Sequence, residues 1–273
     1  MRLKLFVRPI ALVLLSLPAN GQFVEDWQAR VSATQAEQPH WITPLITVTP
    51  RLEQEFRFDT FREQMSSGDD LINVGGGKGL ELIPARRVEI ILAAPPPYLI
   101  HNNPRLQDGF GDETFLLKYR LLSGNEERGK YIVTVFLAGS LATGSYKNGA
   151  AAAVVTPTIA AGKGFGRFDM QSTLGVGLPV DGVNAIGHAV AWNTAFQYQV
   201  RRFFWPEFEV NSTFFESGTN DGKKQTFLTP SLVIGRIPLH NRLGLTLGTG
   251  IQIAVTRFHT FNHNLIFTAR LPF

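Results

Sequence analysis

The stretch HAVAWNTAFQYQV, residues 188–200, decides how the rest of the chain is read. Val190, Trp192, Thr194, Phe196, Tyr198 and Val200 fall on one face, and Ala191, Asn193, Ala195, Gln197 and Gln199 on the other. A period of two with one apolar side is the mark of a β-strand. Soluble sandwiches and membrane barrels both use it, and length separates them. Sandwich strands usually run about five or six residues, whereas a tilted strand needs roughly 9–11 to cross hydrocarbon. The alternation here holds from 190 to 200.

Other segments repeat the pattern. RLEQEFRFD (51–59) sets Leu52, Phe56 and Phe58 against Arg51, Glu53, Glu55, Arg57 and Asp59, with Gln54 as the exception. GRFDMQSTLGVGL (166–178) opposes Phe168, Met170, Leu174, Val176 and Leu178 to Arg167, Asp169, Gln171 and Thr173. LGLTLGTGIQI (243–253) puts leucine and isoleucine against glycine, Thr246 and Gln252. Small residues on the polar side leave space or water in an interior. NLIFTARLPF (264–273) places Leu265, Phe267, Ala269, Leu271 and Phe273 on one side, as expected of a last strand that pairs with the first and faces lipid.

The expected fold is therefore all-β, an antiparallel transmembrane β-barrel of about 12 strands over residues 51–273. Long or polar joins such as REQMSSGDDLINVGGG and APPPYLIHNNPRLQDGFGD alternate with short ones such as PAR and GKGF, as outside loops alternate with periplasmic turns. The second and third strands are expected near 78–84 and 87–94. Trp205, Tyr198, Phe203 and Phe204 cluster near one turn, where an interfacial aromatic girdle would sit. A terminal aromatic behind alternating apolar residues also resembles the signature by which the bacterial assembly machinery accepts outer-membrane barrels. Outer-membrane lipid and that machinery, through the strand ending at Phe273, are the expected partners.

The first residues, MRLKLFVRPIALVLLSLPANGQ, combine a basic start with a short apolar run and small residues before Gly21. This reads as a signal peptide over 1–21, since the run falls short of the roughly 20 residues of a spanning helix. Without it, the 26 basic residues fall to 23 against 22 acidic ones, and no basic stripe interleaved with aromatics suggests nucleic acid. Cysteine is absent, which excludes disulfides and thiolate metal sites. Residues 22–50, an N-terminal periplasmic segment, read as a short helix or a loose tail.

The segment GFGDETFLLKYRLL, Gly109 to Leu122, resembles the outer-membrane transporter family named after the MetA pathway of phenol degradation. Gly109, Gly111, Asp112, Lys118, Tyr119 and Arg120 match its Gly-x-Gly-Asp turn and the basic and aromatic residues of the strand that follows. The resemblance implies an outer-membrane barrel that takes up small compounds, aromatic ones among them, and it carries no catalytic residues.

Inward charges are the most informative polar feature. Glu55, Arg57, Lys118, Arg120, Arg167, Asp169, Glu207 and Glu209 are the nominated lumen residues, either paired into a network that fills the interior or lining a path. Arg51, Glu53, Asp59, Arg87, Glu89 and Arg270 share that face. Tyr98 and Leu99, in PPPYLI, are nominated as an apolar loop pocket for a small hydrophobic or aromatic solute. NVGGGKGLE reads as a flexible loop, because Gly79 stands where a phosphate loop needs Ser or Thr. His259 and His263 lie four apart without a third ligand, so neither metal nor cofactor is expected. Two rival readings remain. One is an outer-membrane lipid hydrolase using Ser212, His188 and Asn193, although no Gly-x-Ser-x-Gly elbow is present. The other is a structural or adhesive barrel with a plugged lumen.

Overall fold

A computed structural model describes residues 21–273 apart from 94 and 95; the expected leader, but for Gly21, lies outside the described residues. Helix α1 (Gly21–Ala36) comes first and is followed by an irregular segment through residue 54. Twelve strands then close into a ring: β1 (Glu55–Gln64), β2 (Asp70–Ala85), β3 in two pieces (Val88–Leu92 and Tyr98–His101), β4 in two pieces (Gly109–Phe110 and Glu113–Gly124), β5 (Tyr131–Leu141), β6 (Val154–Phe165), β7 (Phe168–Pro179), β8 (Ala189–Tyr198), β9 (Phe204–Phe215), β10 (Lys224–His240), β11 (Leu243–Ala254) and β12 (His263–Pro272). Each pairs antiparallel with the next. The ring closes between β1 and β12, from Glu55 opposite Pro272 to Gln64 opposite His263. Closure leaves no free edge, the condition a sheet must meet in hydrocarbon.

Alternation sorts the side chains as the sequence implies. Trp192, Tyr198, Leu174, Leu247 and Phe267 are exposed on the outer wall, while Asp169, Gln171, Glu209, Thr246 and Arg270 are buried within. An exterior of bare aliphatic and aromatic side chains belongs in lipid. The architecture is that of a bacterial outer-membrane barrel, with short turns at the periplasmic end and loops such as 142–153 at the other.

Several local expectations need correction. β2 starts at Asp70, so the glycine run lies inside a strand rather than in a loop. Gly77 has φ +93°, and a Cβ there would collide with the Asp59 carboxylate. The run is thus a bulged crossing opposite Arg57–Thr60, where the register slips. Tyr98–His101 is likewise not a loop; it pairs with Leu71–Val74 as the outer half of β3. Trp205 is buried against Ile42 and Val233 instead of joining the exposed Tyr198 and Phe204 at the rim, because its odd number puts it on the inner face of β9. Leu52 is not on the lipid face but wholly buried, beside Val31 of α1 and Ile83 of β2.

Helix α1 lies across the periplasmic mouth. Trp27 and Val31 pack toward Leu52 and Ile83, and Trp27 Nε1 donates to Gln54 Oε1 at 2.9 Å. Its last carbonyls, which a helix leaves unbonded, are met by the barrel: Arg120 Nη1 donates to Thr34 O at 2.7 Å and Asn125 Nδ2 to Ala36 O at 3.0 Å. Pro39 prevents the helix from continuing inward.

Candidate functional site

Residues 37–54 rise from the helix into the lumen and return to β1 as an irregular hairpin. At its base Gln38 joins the two legs, with Nε2 donating to Leu52 O at 2.8 Å and Leu52 N–H donating to Oε1 at 3.0 Å. Prolines at 39, 44 and 50 deny the segment a regular ladder. A buried N–H or C=O without a partner costs about 1–3 kcal/mol, so this backbone must find partners on the wall.

The wall supplies them by charge. Carboxylates take the amides: Leu45 N–H donates to Glu207 Oε1 at 2.9 Å, Ile46 and Thr47 N–H to the two oxygens of Glu209 at 2.7 and 2.5 Å, and Glu53 N–H to Glu89 Oε2 at 2.7 Å. Cations take the carbonyls. Arg270 donates to Thr43 O at 2.6 Å and Pro44 O at 3.0 Å, Arg57 Nη2 to Leu45 O at 2.6 Å, and Lys118 Nζ to Arg51 O at 3.1 Å. Neutral groups fill in, with Gln171 Nε2 donating to Ile42 O at 3.0 Å and Thr134 Oγ1 to Pro50 O at 2.6 Å. These partners come from strands on all sides of the ring, so the hairpin is a stopper rather than a strap along one wall.

The small inward residues acquire a different meaning here. A Cβ on Gly162 would fall 2.5 Å from the Trp41 ring, and one on Gly250 2.8 Å from Leu45. At these positions the space that glycine leaves on the inner face is occupied by the hairpin's own side chains.

Seven of the eight nominated lumen residues are buried inside. Arg57 pairs with Asp59 at 2.7 Å, Lys118 with Glu89 at 3.0 Å, and Arg120 with Glu37 at 2.6 Å. Glu55 lies opposite Glu81 in register, and among the described residues neither oxygen of Glu81 has a hydrogen-bond partner, with Lys78 Nζ at 4.0 Å. Asp169 accepts from Gln171 at 3.1 Å, and Gln197 donates to Glu207. Arg167 is the exception: it is exposed in the turn between β6 and β7, as Arg87 is in the turn before β3. Both turns end their strands before the inward face continues. Tyr98 and Leu99 form no loop pocket, since Tyr98 faces outward against Phe110 with ring centroids 5.2 Å apart and Leu99 faces the opposite side. Gln38, Gln171 and Gln197 were not nominated, because neutral amides carry no signal of their own in a strand pattern.

Beyond the hairpin tip lies a chamber of 440 Å³. Leu45, Ile46 and Val48 form its floor, Phe61, Ile91, Leu116, Ala138 and Val154 much of its wall, and Thr114, Ser140, Thr156, Lys78 and the Arg57–Asp59 pair its polar side. Val48 and Ala138 also pack on the buried cluster of Ile91, Leu116, Phe136 and Ala160. The chamber is therefore a largely apolar cup standing on the stopper, with one charged side.

The residues of the hydrolase reading do not converge. Ser212 sits on the outward face of β9, 3.0 Å from Thr226 Oγ1; Asn193 faces inward and His188 bonds Ser217 at 3.1 Å. His259 lies in the loop before β12, 2.8 Å from Thr256 O, while His263 begins β12. At the periplasmic end, Glu126 accepts from the backbone N–H of His40 at 2.8 Å and lies 2.6 Å from its Nδ1. Partial burial pushes the Glu126 carboxyl up, but the bonds from His40 outweigh it and hold it below the ordinary carboxylate range.

No protein-family model matches the sequence, and no curated protein does. Among solved structures, the chain is similar to an outer membrane channel from Pseudomonas putida F1, at 15% identity over 80% of this chain and 94% of that one, with a TM-score of 0.54. It is also similar to the NanC porin (9% identity, 79% and 98% covered, TM-score 0.49) and to the outer membrane channel DcaP of Acinetobacter baumannii (10%, 81% and 96%, 0.36). The first likeness is one of fold, that of an outer-membrane barrel, and the other two are too distant to carry an argument.

Proposed function

We propose that the protein is an outer-membrane channel for small hydrophobic or aromatic compounds, in line with the resemblance of Gly109–Leu122 to the phenol-degradation transporter family. The observation that carries this reading is the largely apolar chamber on the hairpin tip, 440 Å³ in volume and therefore of the size of a small-ligand pocket, with a few polar groups on one side. A hydrophilic pore would need a wet, polar constriction, whereas Leu45, Ile46 and Val48 offer an apolar solute a seat at the point where the lumen is stopped. When the hairpin gives way, Glu55, Arg57, Lys118, Arg120, Asp169, Glu207 and Glu209 line the route to the periplasm. The test is uptake of radiolabelled toluene at limiting concentration by cells that depend on this protein for it. Ala138→Trp, which fills the chamber from β5, should slow uptake severalfold while the barrel still folds. Unchanged uptake would refute the reading.

A second reading has its own observation. Because the hairpin stops the lumen, the barrel also fits a structural or adhesive role carried by its outer loops. In that case neither toluene uptake nor conductance would respond to any change in the hairpin.

A further inference from the structure

A second concavity, of 480 Å³, lies at the periplasmic rim between the end of α1 and the lower part of β4. Arg87, Arg120 and Arg128 line it, with Asn125, Ser123 and the carboxylate of Glu37. Arg86 and Arg120 share that one carboxylate, each at 2.6 Å. Glu126, in the same turn as Arg128, is engaged by His40. Among the described residues, neither Arg87 nor Arg128 is in an ion pair. Glu37 is thus already taken by two guanidiniums, and Arg87 and Arg128 stand in the same cleft outside any ion pair among the described residues, an arrangement suited to an anion.

The neighbouring wall says what kind of anion. The register of β4 against β5 slips between Arg120 and Leu122. This bulge breaks the alternation, so Leu121 and Leu122 both turn outward, 41% and 51% exposed, directly below Tyr119 at 45%. Two adjacent leucines facing lipid line the same cleft as the arginines. A free anion has no use for them. An amphiphile does, with its charged head on the guanidiniums and its chain along the leucines.

We infer that this cleft binds the phosphate of an anionic phospholipid in the periplasmic leaflet, Arg87 and Arg128 holding the phosphate and Leu121 and Leu122 the first carbons of an acyl chain. The site is independent of the chamber and of whatever solute the channel carries.

Native mass spectrometry of the refolded full chain, released from detergent with phosphatidylglycerol added, tests this. One retained lipid is expected on the wild type, with diacylglycerol, which lacks the phosphate, not retained. Arg87→Gln with Arg128→Gln should weaken retention roughly thirtyfold, at the strength of two arginines against an anionic headgroup. Arg201→Gln, in another short turn, should leave it unchanged, and the heat-dependent gel shift of a closed barrel would verify that each variant is folded. Equal loss in Arg201→Gln would mean diffuse attraction and overturn the proposal. So would full displacement of the lipid by millimolar inorganic phosphate, which would reassign the cleft to a free anion.

Discussion

Gln38→Met isolates what holds the hairpin shut. The two side chains have nearly the same length and volume, so packing is largely kept while both hydrogen bonds to Leu52, at 2.8 and 3.0 Å, are lost. Gln38 and Leu52 are both wholly buried, so no water waits to replace the amide. Leaving the Leu52 N–H and C=O without partners costs about 1–3 kcal/mol for each group. The two legs of the hairpin are then joined less firmly by about 2 kcal/mol at the least, or roughly a thirtyfold shift between seated and displaced hairpins. If the hairpin is the stopper, single-channel recordings should show the variant conducting far more often than the wild type, with the same unit conductance. The barrel wall itself is untouched, and the midpoint of its thermal unfolding should move far less than the open fraction. A variant that loses barrel stability yet stays silent would refute the reasoning, since the clamp would then serve the wall and not the closure.

Lys118→Met removes the cation from a buried pair, leaving Glu89 without its partner at 3.0 Å and Arg51 O without its donor. Breaking such a pair costs about 3–5 kcal/mol, while Lys118→Met with Glu89→Gln should recover much of this in urea unfolding in detergent; a single-variant cost below about 1 kcal/mol would show that water reaches the pair. The Glu126 carboxyl, held low by His40, gives a pH dependence whose sign follows from the direction of its shift. Its folded value lies below its unfolded one, so its contribution to docking the hairpin base is complete above the ordinary carboxylate range of about 4.3 and fades as pH falls through the depressed folded value. The wild type should therefore resist proteolysis within residues 37–54 better than Glu126→Gln at neutral pH, and the two should converge in acid. A difference that persisted or grew in acid would contradict the assignment.

The wall of the barrel was legible because lipid imposes one rule on every strand. Trp192, Leu174 and Phe267 each occupy alternate positions, and a period of two can be read without knowing which strands are neighbours. Where local geometry departs from that rule, the reading failed. The bulged crossing at Gly75–Gly79 looked like a loop, since glycines with positive φ serve turns and bulges equally. Trp205 looked like a rim aromatic because a girdle and a core both want large rings, and only its parity on β9 tells them apart.

The hairpin obeys no period at all, and its stability is written in residues far away in the chain. Thr43 O depends on Arg270, and Ile46 N–H on Glu209. Yet half of the account was visible. A segment interrupted by prolines at 39, 44 and 50 cannot satisfy its own backbone, and an inner wall carrying both signs of charge has more capacity than its own pairs use. Ionised carboxylates can serve only as acceptors and arginines only as donors. An unladdered segment entering such a barrel must therefore settle with its amides against glutamates and its carbonyls against arginines. Reversing one of those charges, as in Glu209→Lys, would place a donor against the Ile46 and Thr47 amides and should expel the tip even though the new side chain fits the same space.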